Sequence, residues 1–234
     1  MPGHAVHLEH RQRGFKLAEV ILGGQDGLVN VLGVILGVAA ASNSRSLVIA
    51  AGMAATFAES ISMAAVAYTS SVAEADHYRA ERNRERQEIE RLPELEREEI
   101  AAIYRRKGFR GAFLEKIVDT ITENKAIWLK TMMEEELKLE PTSRRDSLKS
   151  SVIVGVSALA GSFIPLIPFF LFGASTGIVP SLALSALTLF LIGVYKAKHT
   201  IGRPIRTGME MLVIGMLSAL AGYLIGLLFS SRRQ

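Results

Sequence analysis

The sequence predicts an all-α membrane protein: five transmembrane helices with a cytoplasmic three-helix insert between the second and third spans. Three observations predict it. Of 234 residues, 49% are hydrophobic and 21% charged, and mean hydropathy is positive at +0.27. Charge is concentrated in one stretch: residues 74–149 hold 18 of the 23 Asp and Glu and 17 of the 27 Lys and Arg. From Ser150 to Tyr195 no residue is charged, a run long enough for two helices of about 20 residues, the length that crosses a bilayer core.

The expected spans are Leu17–Ala41, Leu47–Val72, Ser150–Phe172, Val179–Tyr195 and Ile205–Phe229. They divide the chain into an N-terminal tail (1–16), spans 1 and 2 (17–73), a charged helical domain (74–149), spans 3 to 5 (150–229) and a short C-terminal tail (230–234). "FGASTGIVPS" carries the Gly and Pro of a tight turn between spans 3 and 4. Pro165 and Pro168 predict a kink or broken turn inside span 3.

Orientation follows from the basic residues, which collect on the cytoplasmic side. Arg11, Arg13 and Lys16 precede span 1, and Lys196, Lys198, Arg203 and Arg206 lie between spans 4 and 5. Only Arg45 follows span 1. The N-terminus and the insert are therefore expected in the cytoplasm and the C-terminus outside or in a lumen, with two arginines of "SSRRQ" dissenting. "MPGHAVHLEHRQRGFK" has no apolar core or cleavage site of a signal peptide. No cysteine is present, which removes disulfides, thiolate metal sites and thiol catalysis. The pI near 9.4 reflects charge beside the spans, so no nucleic-acid partner is expected.

In the insert, "SVAEADHYRAERNRERQEIERL" continues span 2 without Gly or Pro, predicting one helix that runs on to Pro93. A second helix runs from Pro93 to Gly108, and a third from about Phe113 to Leu139. Glu85 and Glu88 are three apart, as are Glu96 and Glu99, so each pair shares a helix face. Met132 and Met133 precede Glu136 by four and three residues. If these faces meet, five carboxylates and two thioethers converge. Carboxylates gathered so closely repel one another unless a cation compensates. An oxygen-rich set with thioether sulfur leans to Fe(II) or Mn(II) over Ca(II). Alternating Glu and Arg also describe a solvated helix laced with ion pairs, and methionines fill cores.

Asp26 and Glu59 lie within spans 1 and 2, one turn from Asn30 and Met63 respectively. Ionisable groups at such depth cost about 2.5–3.5 kcal/mol on insertion scales and mark ion or proton paths. The competing reading places them near an interface, paired with Lys16 or Arg45. Five spans are few for enclosing a path, so a homodimer sharing one is expected. Gly23/Gly27, Gly33/Gly37 and Gly222/Gly226 are candidate contacts, with packing inside one chain as the alternative. Glu210 is a candidate for the cytoplasmic mouth, and His4, His7 and His10 for metal capture, against a plain polar tail.

At these residues the chain resembles the vacuolar iron transporter family. The likeness covers about Leu17 to Phe229. It is carried by "DGL" at Asp26–Leu28, "ISMA" at Ile61–Ala64, "EADHY" at Glu74–Tyr78, the two E-x-x-E pairs around Pro93, "WLKTMMEEEL" and "PLIP". The resemblance implies a dimeric five-span exchanger moving Fe(II), often Mn(II), out of the cytoplasm against protons. It implicates Glu85, Glu88, Glu96, Glu99, Met132, Met133 and Glu136 in metal binding, and Asp26 and Met63 along the pathway. Plant relatives carry a second-span glutamate where this chain has Ala55. Here Glu59 stands one turn later, about 6 Å along the axis, and joins the pathway residues on its own position.

The expected activity is export of Fe(II) or Mn(II) by proton antiport, with the lipid bilayer, the metal ions, protons and a second copy as partners. The alternative is a membrane-tethered metal buffer or sensor. No enzyme is expected: ferritin-like sites use Glu-x-x-His on a four-helix frame, and His77 lies outside such a motif. A prokaryotic cell membrane is the expected location, a vacuolar membrane the alternative.

Overall fold

The computed structural model describes residues 3–141, 144–199 and 202–230, the backbone alone at 3–16, 144 and 145. All regular structure among these residues is helical: α1 (Gly3–Ala41), α2 (Arg45–Arg91), α3 (Pro93–Arg106), α4 (Gly111–Thr122), α5 (Lys125–Thr131), a π-helical segment (Met132–Glu136), α6 (Arg144–Leu171), α7 (Ala174–His199) and α8 (Pro204–Ser230). The chain forms two compact units, one from Met1–Tyr68 with Leu148–Gln234 and the other from Thr69–Ser147. Five helices are long and apolar enough to cross a membrane: Leu17–Ala41, Arg45–Arg91, Asp146–Leu171, Ala174–His199 and Pro204–Ser230.

In the first unit α7 turns mostly small residues inward, and many large apolar side chains of the unit are exposed, as on a lipid-facing surface. The buried face of α7 is Ala174, Gly177, Ser181, Ser185, Leu189, Gly193 and Ala197, stepping by three or four residues. Ile61, Val156, Val179, Leu217 and Leu228 are exposed. In lipid such side chains meet acyl tails. Val31, Leu32, Ile35, Val48, Leu166 and Phe169 make the apolar centre.

The three G-x-x-x-G pairs are spent inside the chain, against their candidacy as contacts between copies. A Cβ on Gly23 or Gly27 would strike the α6 backbone at Val154 and Ala158, and one on Gly37 would lie 2.9 Å from the Gly222 carbonyl oxygen. Gly222 and Gly226 abut the Gly33 and Gly37 carbonyls in turn. Backbone atoms cannot step aside, so Gly222→Ala should lower the thermal midpoint in detergent by several degrees, a cost of about 1–3 kcal/mol. Gly24→Ala, whose Cβ would meet the Ser157 carbonyl at 3.5 Å, should leave it nearly unchanged. Equal melting of the two variants contradicts the packing.

Two loop expectations are corrected. α7 begins at Ala174, five residues before the predicted start, because Pro180 is carried inside the helix and the turn is confined to Phe172 and Gly173. α6 runs uninterrupted through Pro165 and Pro168, so the predicted broken turn is absent. The Ser181 hydroxyl donates to the Pro165 carbonyl at 2.7 Å, tying α7 to α6 beside the prolines. Arg232 and Arg233 lie outside the described residues, and His4, His7 and His10 fall where only backbone is described.

In the second unit, α2 runs unbroken to Arg91 and α3 starts on Pro93, a residue suited to a first turn whose N–H is unpaired anyway. The predicted third helix is not one helix. Asn124 leaves helical geometry and its side chain accepts from the N–H groups of Ala126 and Ile127, at 2.9 and 3.3 Å, capping α5 just after α4 ends. Beyond α5 the backbone widens, with Leu137 N–H donating to the Met132 carbonyl, and Lys138 adopts φ 55°.

Candidate metal site and membrane carboxylates

The insert places two E-x-x-E pairs on helices joined by a single residue, Leu92, between Arg91 and Pro93. Ile89 and Ile100 pack in its apolar core with Val118, Trp128, Met132 and Met133. Burying these residues holds Glu85 and Glu96, each on the same face four residues earlier, against that core. Both glutamates are buried, at 3% exposure. One oxygen of each, Oε2, has no hydrogen-bond partner. A buried carboxylate oxygen left unpaired is costly, and two of them lie in one acidic cluster.

The five predicted carboxylates share one field. Glu96 is pushed up to about 7, first by burial and then by Glu99, Glu85, Glu88 and Glu136. Glu136 also reaches about 7, by burial first, then by Glu99, Glu85 and a hydrogen bond with Glu99. Although Glu136 is exposed as a residue, its carboxyl is therefore drawn toward the others. Glu85 is raised by burial and by Glu88. Met132 and Met133 are buried in the adjoining core. Among the described residues no three His, Asp or Glu side chains are already closed to a coordination sphere. Mutual repulsion opposes that closure in the metal-free protein.

Proton uptake by this cluster fixes a pH dependence. Glu96 and Glu136 ionise near 4.5 in the unfolded chain and about 7 in the folded one, so the fold holds more protons between those values. Stability is greatest below 4.5 from this source, falls as pH rises to about 7, and stays low above it. The metal-free insert should melt several degrees lower at pH 8 than at pH 5, followed by Trp128, the sole tryptophan. Glu96→Gln should flatten that slope, and a midpoint rising over the interval contradicts it.

In the other unit, Asn30 Nδ2 donates to Asp26 Oδ2 at 3.2 Å, and the Glu59 carboxyl hydrogen-bonds with Asp26 and Asn30. Glu59 thus meets Asp26 from a position one turn past Ala55, which packs on the apolar centre. Asp26, Glu59 and Met63 are half-buried and Asn30 is exposed, so the polar seam opens at the surface of the single chain. Arg45 is not their partner: it donates to the Phe169 carbonyl at 2.9 Å and to that of Phe170, at the end of α6. Glu210 pairs with Arg206 at 3.0 Å and is exposed.

Some features of the site carry no motif. Arg97 reaches Asp119 and the Thr122 hydroxyl, tying α3 to α4, and Lys107 meets Glu135 at 2.5 Å beside the π segment. Arg84 lies among Glu81, Glu85 and Glu88; its i−3, i+1 and i+4 spacing was a signal, lost in a stretch full of Glu and Arg.

The VIT family sequence profile matches residues 17–227. The chain is 32% identical over 216 residues to "Vacuolar iron transporter 1" of Arabidopsis thaliana, covering 92% of this chain and 86% of that protein. Identity is 32% over 222 residues to the protein of the same name from Oryza sativa subsp. japonica, with 93% and 88% covered. To "Vacuolar iron transporter" of Plasmodium falciparum it is 31% over 225 residues, with 92% and 82% covered. A profile match along both units, with relatives this similar across nine-tenths of the sequence, settles the kinship: the chain belongs to the VIT family.

Proposed function

We propose that this protein exports Fe(II), and Mn(II) with it, from the cytoplasm in exchange for protons. The observation that carries the reading is the convergence of Glu85, Glu88, Glu96, Glu99 and Glu136 around two buried, unpartnered carboxylate oxygens. Its kinship with proteins named vacuolar iron transporters supplies iron as the cargo. The insert captures metal from the cytoplasm through these glutamates, with Met132 and Met133 adding thioether sulfur, and raises its concentration beside the bilayer.

Asp26, Glu59 and Met63 then carry the ion across. Carboxylates bind a divalent cation only when deprotonated, so metal and proton compete for one site. Exposing that site to each side in turn makes the two fluxes opposite. A half-exposed carboxyl pair facing lipid is unfavourable, which supports a homodimer whose partner covers the seam. No covalent chemistry is required and none is assigned. The positive-inside pattern puts the insert in the cytoplasm, in a prokaryotic cell membrane or, as the relatives' names imply, a vacuolar one.

The test is uptake of Fe(II) and Mn(II) by proteoliposomes with and without an imposed pH gradient. Uptake that follows the gradient supports the exchanger. Absence of uptake with metal still bound to the protein makes the chain a tethered buffer.

A further inference from the structure

Arg84 sits inside the acidic cluster. Its Nη2 lies 2.7 Å from Glu81 Oε2 and 3.5 Å from Glu85 Oε1, and its Nε lies 3.5 Å from Glu88 Oε2. The same guanidinium opposes the upward push on Glu85 and on Glu136. It engages one oxygen of Glu85 and leaves the other, buried, without a partner. Arg84 is half exposed while the Glu85 side chain is 4% exposed, so the cation reaches in from the rim toward a buried acid.

We propose that Arg84 is a tethered counter-cation that competes with the metal for Glu85 and Glu88 and so sets how tightly the insert binds. The inference rests on the reading of this cluster as the metal site. A guanidinium is a diffuse single charge held here at 3.5 Å from two of its carboxylates, whereas a transition-metal ion is doubly charged and binds oxygen at about 2.0–2.2 Å. Metal therefore displaces Arg84, but against a penalty: the contacts with Glu85 and Glu88 are lost, and a positive charge stays nearby. A site that must hand its cargo onward benefits from affinity held down in this way.

The experiment is titration of the full-length protein in detergent with Mn(II) at pH 8, where protons compete least, read by quenching of Trp128. Arg84→Gln should bind Mn(II) about ten-fold more tightly, the size expected for charges of +2 and +1 about 6 Å apart when the half-exposed guanidinium is screened as in bulk water. Arg84→Lys, which keeps the charge, should stay within about three-fold of the parent on the same Coulomb argument. Arg79→Gln, whose partner is the exposed Asp76 at 3.2 Å, should change nothing. Helix content by circular dichroism confirms folding, and Arg84→Ala should give the same tightening if the Gln variant loses helix. Unchanged or weaker binding in folded Arg84→Gln overturns the role of Arg84 while leaving the metal site intact. No saturable quenching in the parent protein overturns the metal site itself, and this inference with it.

Discussion

Asp26→Asn should reduce gradient-driven metal uptake to the level of empty liposomes, with the fold and metal binding by the insert unchanged. The side chain stays the same size and still accepts from Asn30, which contacts it at 3.2 Å, so packing is kept. What is lost is ionisation. An amide offers the cation no negative charge and can neither take up nor release a proton in exchange. Both halves of the exchange fail together, which separates this variant from one that merely narrows the path. Glu59→Gln should impair coupling as well, since Glu59 is the other half of the pair. Uptake near the parent rate in Asp26→Asn removes the aspartate from the mechanism.

The second large effect is on capture. Glu85→Gln combined with Glu96→Gln removes the two buried oxygens that lack partners and two of the five charges that make the field. Mn(II) affinity read through Trp128 should fall by at least about 100-fold, beyond the range usual for losing a group that only supports a ligand. Helix content should persist, because the insert's core of Ile89, Ile100, Val118 and Trp128 is untouched. Uptake at saturating metal should survive better than at low metal, since the seam through Asp26 is intact. An affinity within a few-fold of the parent leaves these glutamates as a solvated, ion-paired helix surface.

Span positions were legible because each depends on a long run: most of α6 and α7 follows directly from the charge-free, apolar stretch Ser150–Tyr195. The break at Pro93 was legible for a local reason, a residue that cannot continue the preceding helix. The split of α4 from α5 was missed because one Asn, a weak helix breaker by composition, became decisive once its side chain capped two N–H groups. The π segment, which carries the buried Met132 and Met133, has no signature in helix propensity. Glycine spacing predicted close helix contact but could not name the partner: the same pattern serves a neighbouring helix or a second copy, and here α6 and α8 take it. The E-x-x-E spacing placed each glutamate pair on a face. That the faces meet depends on how α2 and α3 pack, which no single helix reveals, whereas the contacts of Arg84 lie within α2.

The measurement that bears most directly on the exchange is simultaneous recording of Mn(II) entry and internal pH in the same proteoliposomes. The account predicts that adding Mn(II) drives protons out as metal enters, and that reversing the pH gradient reverses the metal flux. Metal entry that leaves the internal pH unchanged contradicts it.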